Sequence, residues 1–189
     1  MNGISGFVYR VATTHHRFKT ALSIAGAVFW YGTVALAMLF STWVDNRLGL
    51  SLHIAAAVKL PVAIVLLLAG APMVVWTIAR FLRARGSPIP FNPPPTFVTD
   101  GLYKVVRNPM HLGWTLVIAG VGVLRQSFTL LVLFTPAFIV THILYIKLIE
   151  EKELEEKFGQ AYRDYRSRVG MFLPTIMSSS RKRGSNNDN

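Results

Sequence analysis

Hydrophobic and polar residues occur in long blocks along this chain. The hydrophobic runs show neither the alternation of a half-buried strand nor the periodic polar positions of a soluble amphipathic helix. Residues 21–44 carry no charge, and a second apolar run extends from about residue 52 to residue 82. A bilayer core about 30 Å thick is crossed by about 20 apolar helical residues, so each run is long enough to span it. The basic stretch 17–19 and Ala35-Leu-Ala37 resemble a signal peptide, but the apolar run continues past them. We therefore expect an uncleaved first span.

The second half of the chain predicts a helical hairpin. Met110–Leu124 is an apolar segment of roughly 22 Å as a helix, which is short for an unaided span. Residues 125–127 predict a tight turn, and Ser127–Ile149 the last span. Three glycines, Gly113, Gly120 and Gly122, would let the short helix approach a neighbour closely.

The segments between and after these runs are polar or proline-rich. Pro61 suits the first turn of a helix, so the second span is expected to begin near Leu60, after an interfacial turn at 52–58. Residues 86–100 contain five prolines and predict a stiff extended connection, either a linker or a structured lid. From Glu150 to about Arg166, apolar residues at helical spacing predict one amphipathic helix at the membrane surface or over a site.

Composition narrows the class of protein. Of 189 residues, 52% are hydrophobic and 15% charged, whereas soluble domains carry about 25% charged residues. The absence of cysteine excludes disulfides, zinc–thiolate sites and a cysteine nucleophile. The net charge of +11 is explained by the positive-inside rule, since only Arg47, Lys59 and Arg125 fall on one predicted face. No nucleic-acid-binding motif accompanies it, so no nucleic-acid partner is expected.

These patterns predict an all-α, polytopic membrane protein. It would have about four transmembrane helices, a C-terminal helical hairpin and a cytoplasmic amphipathic helix, with both termini cytoplasmic. We expect one membrane-embedded domain over residues 1–174 and a disordered polar tail over 175–189. Oligomeric state cannot be read from the pattern.

A polar cassette, residues 101–113 (GLYKVVRNPMHLG), runs directly into the short apolar helix. The predicted hairpin would bring it to the membrane face at which the last span ends, in Glu150-Glu151. A guanidinium there could bind a carboxylate, and the carboxylates could bind an ammonium or ribose hydroxyls. The candidate site residues are Tyr103, Lys104, Arg107, Asn108, Pro109, His111, Glu150 and Glu151.

Simpler interpretations remain open for several of these residues. Arg107 could be an interfacial anchor, Glu151 could pair with Lys147, and the run 150–157 could be a solvated helix face. His142 lies inside the last span, where it is either functional or hydrogen-bonded between helices. A metal site from His111, His142 and Glu150 lacks ligand spacing, so no metal is predicted.

The cassette resembles the superfamily of isoprenylcysteine carboxyl methyltransferases and phospholipid methyltransferases, which are integral membrane enzymes. The matching residues are 101–113, Glu150-Glu151, Leu154, Phe158-Gly159, Tyr162, Tyr165 and Phe172-Leu-Pro174. The resemblance covers roughly residues 86–174.

This resemblance implies S-adenosylmethionine as cofactor, bound on the cytoplasmic side beneath a C-terminal helix. The substrate would be a lipid or a prenylated small molecule or peptide that enters from the bilayer. The cofactor pocket would be formed by Tyr103, Arg107, Asn108, Pro109, His111, Glu150 and Glu151, with Arg107, His111 and Glu150 as the catalytic candidates. His111 or Glu150 would act as base for an amine substrate, whereas a carboxylate needs none.

The identity of the substrate follows less directly from the resemblance. Prenylcysteine enzymes typically have histidine and tyrosine where this chain has Asn108 and His111. Asn108-Pro109-Met110 is closer to the phospholipid branch, but the Gly-x-Gly of that branch has no counterpart in the second span. A prenylcysteine-type carboxylate is the leading expectation, and a phospholipid amine is the alternative. A non-catalytic membrane scaffold and a nicotinamide-dependent reductase are the alternatives from other classes.

Overall fold

The computed structural model describes residues 16–50, 52–83 and 98–175, and it describes side chains from Tyr31 onward together with Ala25 and Val28. Regular structure in these ranges is helical, apart from one isolated parallel bridge between Val106 and Gly170. Most of the proline-rich connection 86–100 and of the tail 175–189 lies outside the described residues.

Five helices and one short turn make up the described chain. They are α1 (His16–Leu48), α2 (Ala56–Arg83), a 3₁₀ turn (Gly101–Lys104), α3 (Pro109–Arg125), α4 (Thr129–Phe158) and α5 (Gln160–Arg168). Two of the described helices, α2 and α4, are long and apolar enough to cross a membrane. Many of their large apolar side chains face outward, such as Leu68, which is 70% exposed, and Leu148, which is 59% exposed. A bilayer is the solvent in which such faces are stable.

The second apolar helix begins earlier than predicted. It begins at Ala56 and carries Pro61 and Pro72 inside it, whereas the sequence places its start near Leu60. The amides of Val58 and Lys59 both donate to the Ala55 carbonyl, so the first turn forms before Pro61. Pro61 therefore follows the first turn instead of opening it.

The last apolar helix continues beyond the predicted span. The span is expected to end at Ile149, whereas the helix α4 runs on to Phe158. No glycine or proline interrupts the chain between Ile149 and Gly159, so the helix continues through the charged residues. It includes π-helical turns at Thr129–Phe134 and Ile146–Glu150.

The single amphipathic helix predicted from Glu150 to about Arg166 is likewise wrong. Gly159 divides it, with φ 54° and ψ −124°, a backbone conformation that glycine adopts without steric cost. The first half is the end of α4, and the second half is the separate helix α5. The chain can therefore fold back over the end of α4.

Glycines set the distance between α2 and α3. A Cβ on Gly70 would lie 2.6 Å from the Gly113 carbonyl oxygen, and a Cβ on Gly120 would lie 3.0 Å from Leu67 Cγ. The contacts run in opposite directions along the two helices, so the helices are antiparallel. Gly113 and Gly120 thus do what the sequence predicts, but their neighbour is α2. Gly122 packs against Leu131 of the hairpin partner, α4.

The turn between α3 and α4 is fixed by the end of α1. Gln126 adopts the left-handed conformation, with φ 56°, and confirms the predicted turn. Asp45 of α1 is buried and accepts hydrogen bonds from the Ser127 hydroxyl and from the amide and hydroxyl of Thr129. Arg125 also reaches α1, where it donates to the Met38 carbonyl at 3.1 Å.

The helices therefore alternate in direction between two ends of the molecule. One end, the turn end, holds the C-terminus of α1 and residues 125–127. The other, the site end, holds the C-terminus of α2, the polar cassette and the last turns of α4. An apolar cluster lies between the two ends, built from Val34, Ile118, Leu130 and Phe138, with Met38, Trp114, Val121 and Phe134 packed around it.

Candidate functional site

The polar cassette is held in place at the C-terminus of α2. Arg80 forms a bidentate pair with Asp100, with contacts of 3.0 and 2.9 Å from one guanidinium nitrogen to the two carboxylate oxygens. This pair keeps the pKa of Asp100 below its ordinary value. Gly101 follows with φ +58°, and a Cβ there would overlap the Trp76 ring. The cassette therefore needs glycine at its first residue.

The C-terminal segment closes over the cassette from the other side. The Arg107 amide donates to the Gly170 carbonyl at 2.8 Å, and the Asn108 amide donates to the Met171 carbonyl at 3.1 Å. The Tyr165 hydroxyl of α5 donates to the Tyr103 carbonyl at 2.7 Å. These backbone contacts fix the cassette relative to a segment more than 60 residues later.

Arg107 and Glu151 form the centre of the site. Arg107 Nη1 lies 2.6 Å from Glu151 Oε1, and each side chain is only 12% exposed. The same nitrogen donates to the Tyr162 hydroxyl at 3.3 Å, and Arg166 lies 3.6 Å from the second Glu151 oxygen. Glu151 therefore pairs across the molecule instead of with Lys147, and Arg107 is not a solvent-reaching interfacial anchor.

Arg107 keeps one buried donor without a partner. Its Nε–H is removed from solvent and meets no acceptor among the described residues. Buried donors are nearly always satisfied in native proteins, and an unsatisfied one calls for an explanation such as a bound group. A carboxylate placed beside the guanidinium would satisfy it.

Glu150 lies close to the tyrosines of the site. Burial raises the pKa of the Tyr103 phenol far above its ordinary value, and the charge of Glu150 adds to the increase. Burial, followed by the charge of Glu151, raises the pKa of Tyr162 to about 12. Both phenols are therefore protonated at neutral pH, and the Tyr162 hydroxyl contacts Arg107 of the central pair.

Asn108 and Pro109 form the start of α3. Both are buried, and Pro109 opens the helix, as the sequence predicts. Asn108 makes no side-chain cap, so it leaves the first-turn amides of α3 uncapped. Such a helix N-terminus favours a negatively charged or electron-rich group. Lys104 ends the 3₁₀ turn and is exposed.

His111 packs against His142 of α4, with 4.8 Å between the ring centroids. His142 Nδ1 bonds the Phe138 carbonyl of its own helix at 2.6 Å, and the interhelical hydrogen bond expected of His142 stays a prediction. Over the described residues, no three histidine, cysteine or carboxylate side chains form a group that could hold a metal ion.

Three residues that the sequence did not place among the site candidates contribute to this site. Tyr162 and Arg166 of α5 touch the central pair, and His142 touches His111. From the sequence, Tyr162 is a residue of the family resemblance, without a contact to the central pair. Tyr162 follows Glu151 by 11 residues, which is about three turns of a continuous helix. The spacing alone therefore does not reveal that the chain folds back at Gly159.

Comparison with known proteins agrees with this arrangement. The family model described as phospholipid methyltransferase matches residues 58–161, more than half of the chain. The chain belongs to the phospholipid methyltransferase family. The matched range contains the whole polar cassette and Glu150-Glu151, so the resemblance stated from the sequence is confirmed. Family membership and the two long apolar helices together indicate a membrane protein.

Individual relatives are similar over a smaller part of their length. Methanethiol S-methyltransferase 1 of Bradyrhizobium diazoefficiens is 36% identical over 43% of this chain and 27% of its own. The methanethiol S-methyltransferase of Pseudomonas deceptionensis is 34% identical over 43% of this chain and 29% of its own. Methanethiol S-methyltransferase 2 of B. diazoefficiens is 33% identical over 53% and 36%, respectively. The chain thus spans about a third of the length of these curated relatives.

Proposed function

We propose that this protein is a membrane-embedded, S-adenosylmethionine-dependent methyltransferase that methylates a small thiol. The observation that carries the proposal is the buried Arg107–Glu151 pair, which joins the two halves of the family motif across 44 residues. Family membership supports methyl transfer, and the named activity of the relatives supports a thiol acceptor.

The residues of the site fit the polar groups of the proposed cofactor. Arg107, whose Nε–H has no acceptor within residues 16–50, 52–83 and 98–175, would bind the cofactor carboxylate. Glu150 and Glu151 would accept hydrogen bonds from its ammonium or ribose hydroxyls. Asn108 and Pro109 would present the N-terminus of α3, and Tyr103 would line the pocket. When bound, the cofactor supplies an electrophilic methyl group.

The protein's own part in such a reaction is orientation and exclusion of water. Methyl transfer from a sulfonium is an in-line displacement. A site that excludes water and aligns the acceptor with the methyl group therefore supplies most of the rate acceleration. Tyr162 and Arg166, brought by α5, cover the central pair. We propose four membrane spans, α1 to α4, with the site end and both termini on the cytoplasmic face, which follows from the placement of basic residues.

A prenylcysteine-type carboxylate is the second candidate acceptor, since the polar cassette resembles both branches of the superfamily. A carboxylate is already an anion and needs no base. The histidine pair beside the apolar cluster has a use with a thiol and none with a carboxylate. The thiol is therefore the better supported acceptor.

One transfer assay separates the acceptors. Purified protein in lipid nanodiscs is incubated with methyl-labelled S-adenosylmethionine and, separately, methanethiol, a prenylcysteine analogue or phosphatidylethanolamine vesicles. We expect a volatile labelled thioether. Label that base releases as methanol would identify a carboxylate as the acceptor instead of a thiol. Base-stable label in lipid headgroups would identify a phospholipid amine. No transfer to any of the three would overturn the proposed activity.

A further inference from the structure

The histidine pair lies between the central ion pair and the apolar cluster. Along α3, His111 comes after Arg107 and one turn before Trp114 of the cluster. Along α4, His142 comes one turn after Phe138 of the cluster and before Glu151. Along α3 the order is therefore polar site, histidine, apolar cluster, and along α4 the same three regions follow in reverse order. An acceptor that arrives from the apolar side would meet the pair before it meets the polar pocket.

His142 is fixed in one orientation and one neutral form. A carbonyl oxygen only accepts hydrogen bonds, so the 2.6 Å contact with Phe138 requires a proton on Nδ1 of His142. In the neutral ring Nε2 then carries the lone pair. The Phe138 ring stacks on the imidazole at 4.0 Å between centroids and 27° between planes. His142 is only 4% exposed, so this packing leaves the ring little freedom.

His111 is oriented by this fixed neighbour. Its ring is tilted by 51° against His142, and its backbone belongs to the first turn of α3, within the cassette. A half-buried ring beside a fixed imidazole can present a nitrogen lone pair to a ligand. The neighbouring indole Nε1–H of Trp114 is buried and meets no acceptor in the part of the chain that the structure describes. That donor marks a second polar contact for a group bound among these rings.

We infer that His111 is the base that removes the proton of the acceptor thiol, and that His142 is the residue that positions it. This inference rests on the proposed function. The S–H bond breaks and its proton moves to an imidazole nitrogen of His111. The thiolate lone pair then forms the new S–C bond with the methyl group, while the C–S bond of the sulfonium cofactor breaks and its electrons stay on the cofactor sulfur. The proton leaves His111 for solvent.

The acidity of the acceptor tests this inference. Methanethiol is almost fully protonated at neutral pH and needs a base, whereas an aryl thiol such as thiophenol is substantially ionised. His111→Asn should lower the methylation rate of methanethiol about 100-fold, at the low end of general-base effects, and leave that of thiophenol nearly unchanged. His142→Asn should show the same selectivity with a smaller loss, about tenfold. His53→Asn, an exposed histidine outside the site, is the control and should match the wild type.

Two further measurements keep the outcomes distinct. Circular dichroism and thermal unfolding should give the same helix content and nearly the same Tm for His111→Asn, His111→Gln and the wild type, which shows that the variants fold. Nitrogen chemical shifts of labelled histidine should show imidazolium when thiol is added with the demethylated cofactor. Equal losses on both thiols, or no loss on methanethiol, would overturn the role of the pair while the proposed function stands. A wild type that methylates neither thiol would overturn the proposed function itself.

Discussion

Replacing Gly70 by alanine should force α2 and α3 apart. The new Cβ would lie 2.6 Å from the Gly113 carbonyl oxygen and 2.8 Å from Leu116 Cβ. Ordinary contact begins at 3.4 Å, so the shortest contact falls short by about 0.8 Å, well inside the steep repulsive range. Both obstructing atoms are backbone or Cβ atoms, which cannot rotate out of the way. The whole helix α3 has to move, and the cassette moves with it.

The size of the effect follows from two opposing terms. Extra methyl groups in a well-packed interior cost about 1–3 kcal/mol, while alanine in place of glycine within a helix gains up to about 1 kcal/mol. Gly32 of α1 is the matched control, because a Cβ there meets nothing within 4 Å. Gly70→Ala should therefore be less stable than Gly32→Ala by about 1–3 kcal/mol.

Thermal unfolding in detergent measures this difference. For a chain of this length, 1 kcal/mol corresponds to about 2–4 °C in Tm, so the two variants should differ by several degrees. Binding of S-adenosylmethionine should weaken in Gly70→Ala only, since α3 carries the cassette. If Gly70→Ala were as stable as Gly32→Ala, the close packing of α2 on α3 would be refuted.

Three other changes test separate contacts. Glu151→Ala should destabilise by about 3–5 kcal/mol, because it leaves the charge of Arg107 without its partner. Arg107→Ala should destabilise less, because Arg166 still lies 3.6 Å from Glu151. The double variant should lose much less than the sum, and additive losses in denaturant titrations would contradict the pairing. Tyr165→Phe removes the hydrogen bond to the Tyr103 carbonyl, worth about 1 kcal/mol, and should speed tryptic cleavage in α5; an unchanged rate would argue against that closure. Asp45→Ala leaves the donors of Ser127 and Thr129 buried without an acceptor, so it should lower Tm while Asn46→Ala, at an exposed position, does not; equal Tm values would exclude that role.

Local signals in the sequence were sufficient to predict where α3 begins and where the turn after it lies. Pro109 opens the helix because its fixed φ suits the first turn, and Gln126 ends it in a left-handed conformation. The meeting of Arg107 and Glu151 also followed from the sequence, because an antiparallel hairpin brings its two open ends together. These inferences needed only the period of the helix and the length of the apolar runs.

Other features depend on helix rotation and tertiary packing. The charged residues from Glu150 onward indicate that the chain passes from the bilayer to water, but they do not end a helix. The continuation of α4 to Phe158 was therefore not predicted. The contact of His111 with His142 depends on how α3 and α4 rotate about their axes, which apolar segments without a clear stripe do not specify. The choice of α2 as partner of Gly113 likewise depends on packing between distant segments.

The proposed cofactor site is tested most directly by equilibrium binding. Calorimetry with S-adenosylmethionine is carried out on the wild type, on Arg107→Ala and on Arg163→Ala. Arg163 is the control because it pairs with Glu155 on the surface, where it is 47% exposed. We expect saturable binding by the wild type and Arg163→Ala, and none by Arg107→Ala with its secondary structure unchanged. Binding by Arg107→Ala equal to the wild type would contradict the site, and no binding by the folded wild type would favour a non-catalytic scaffold.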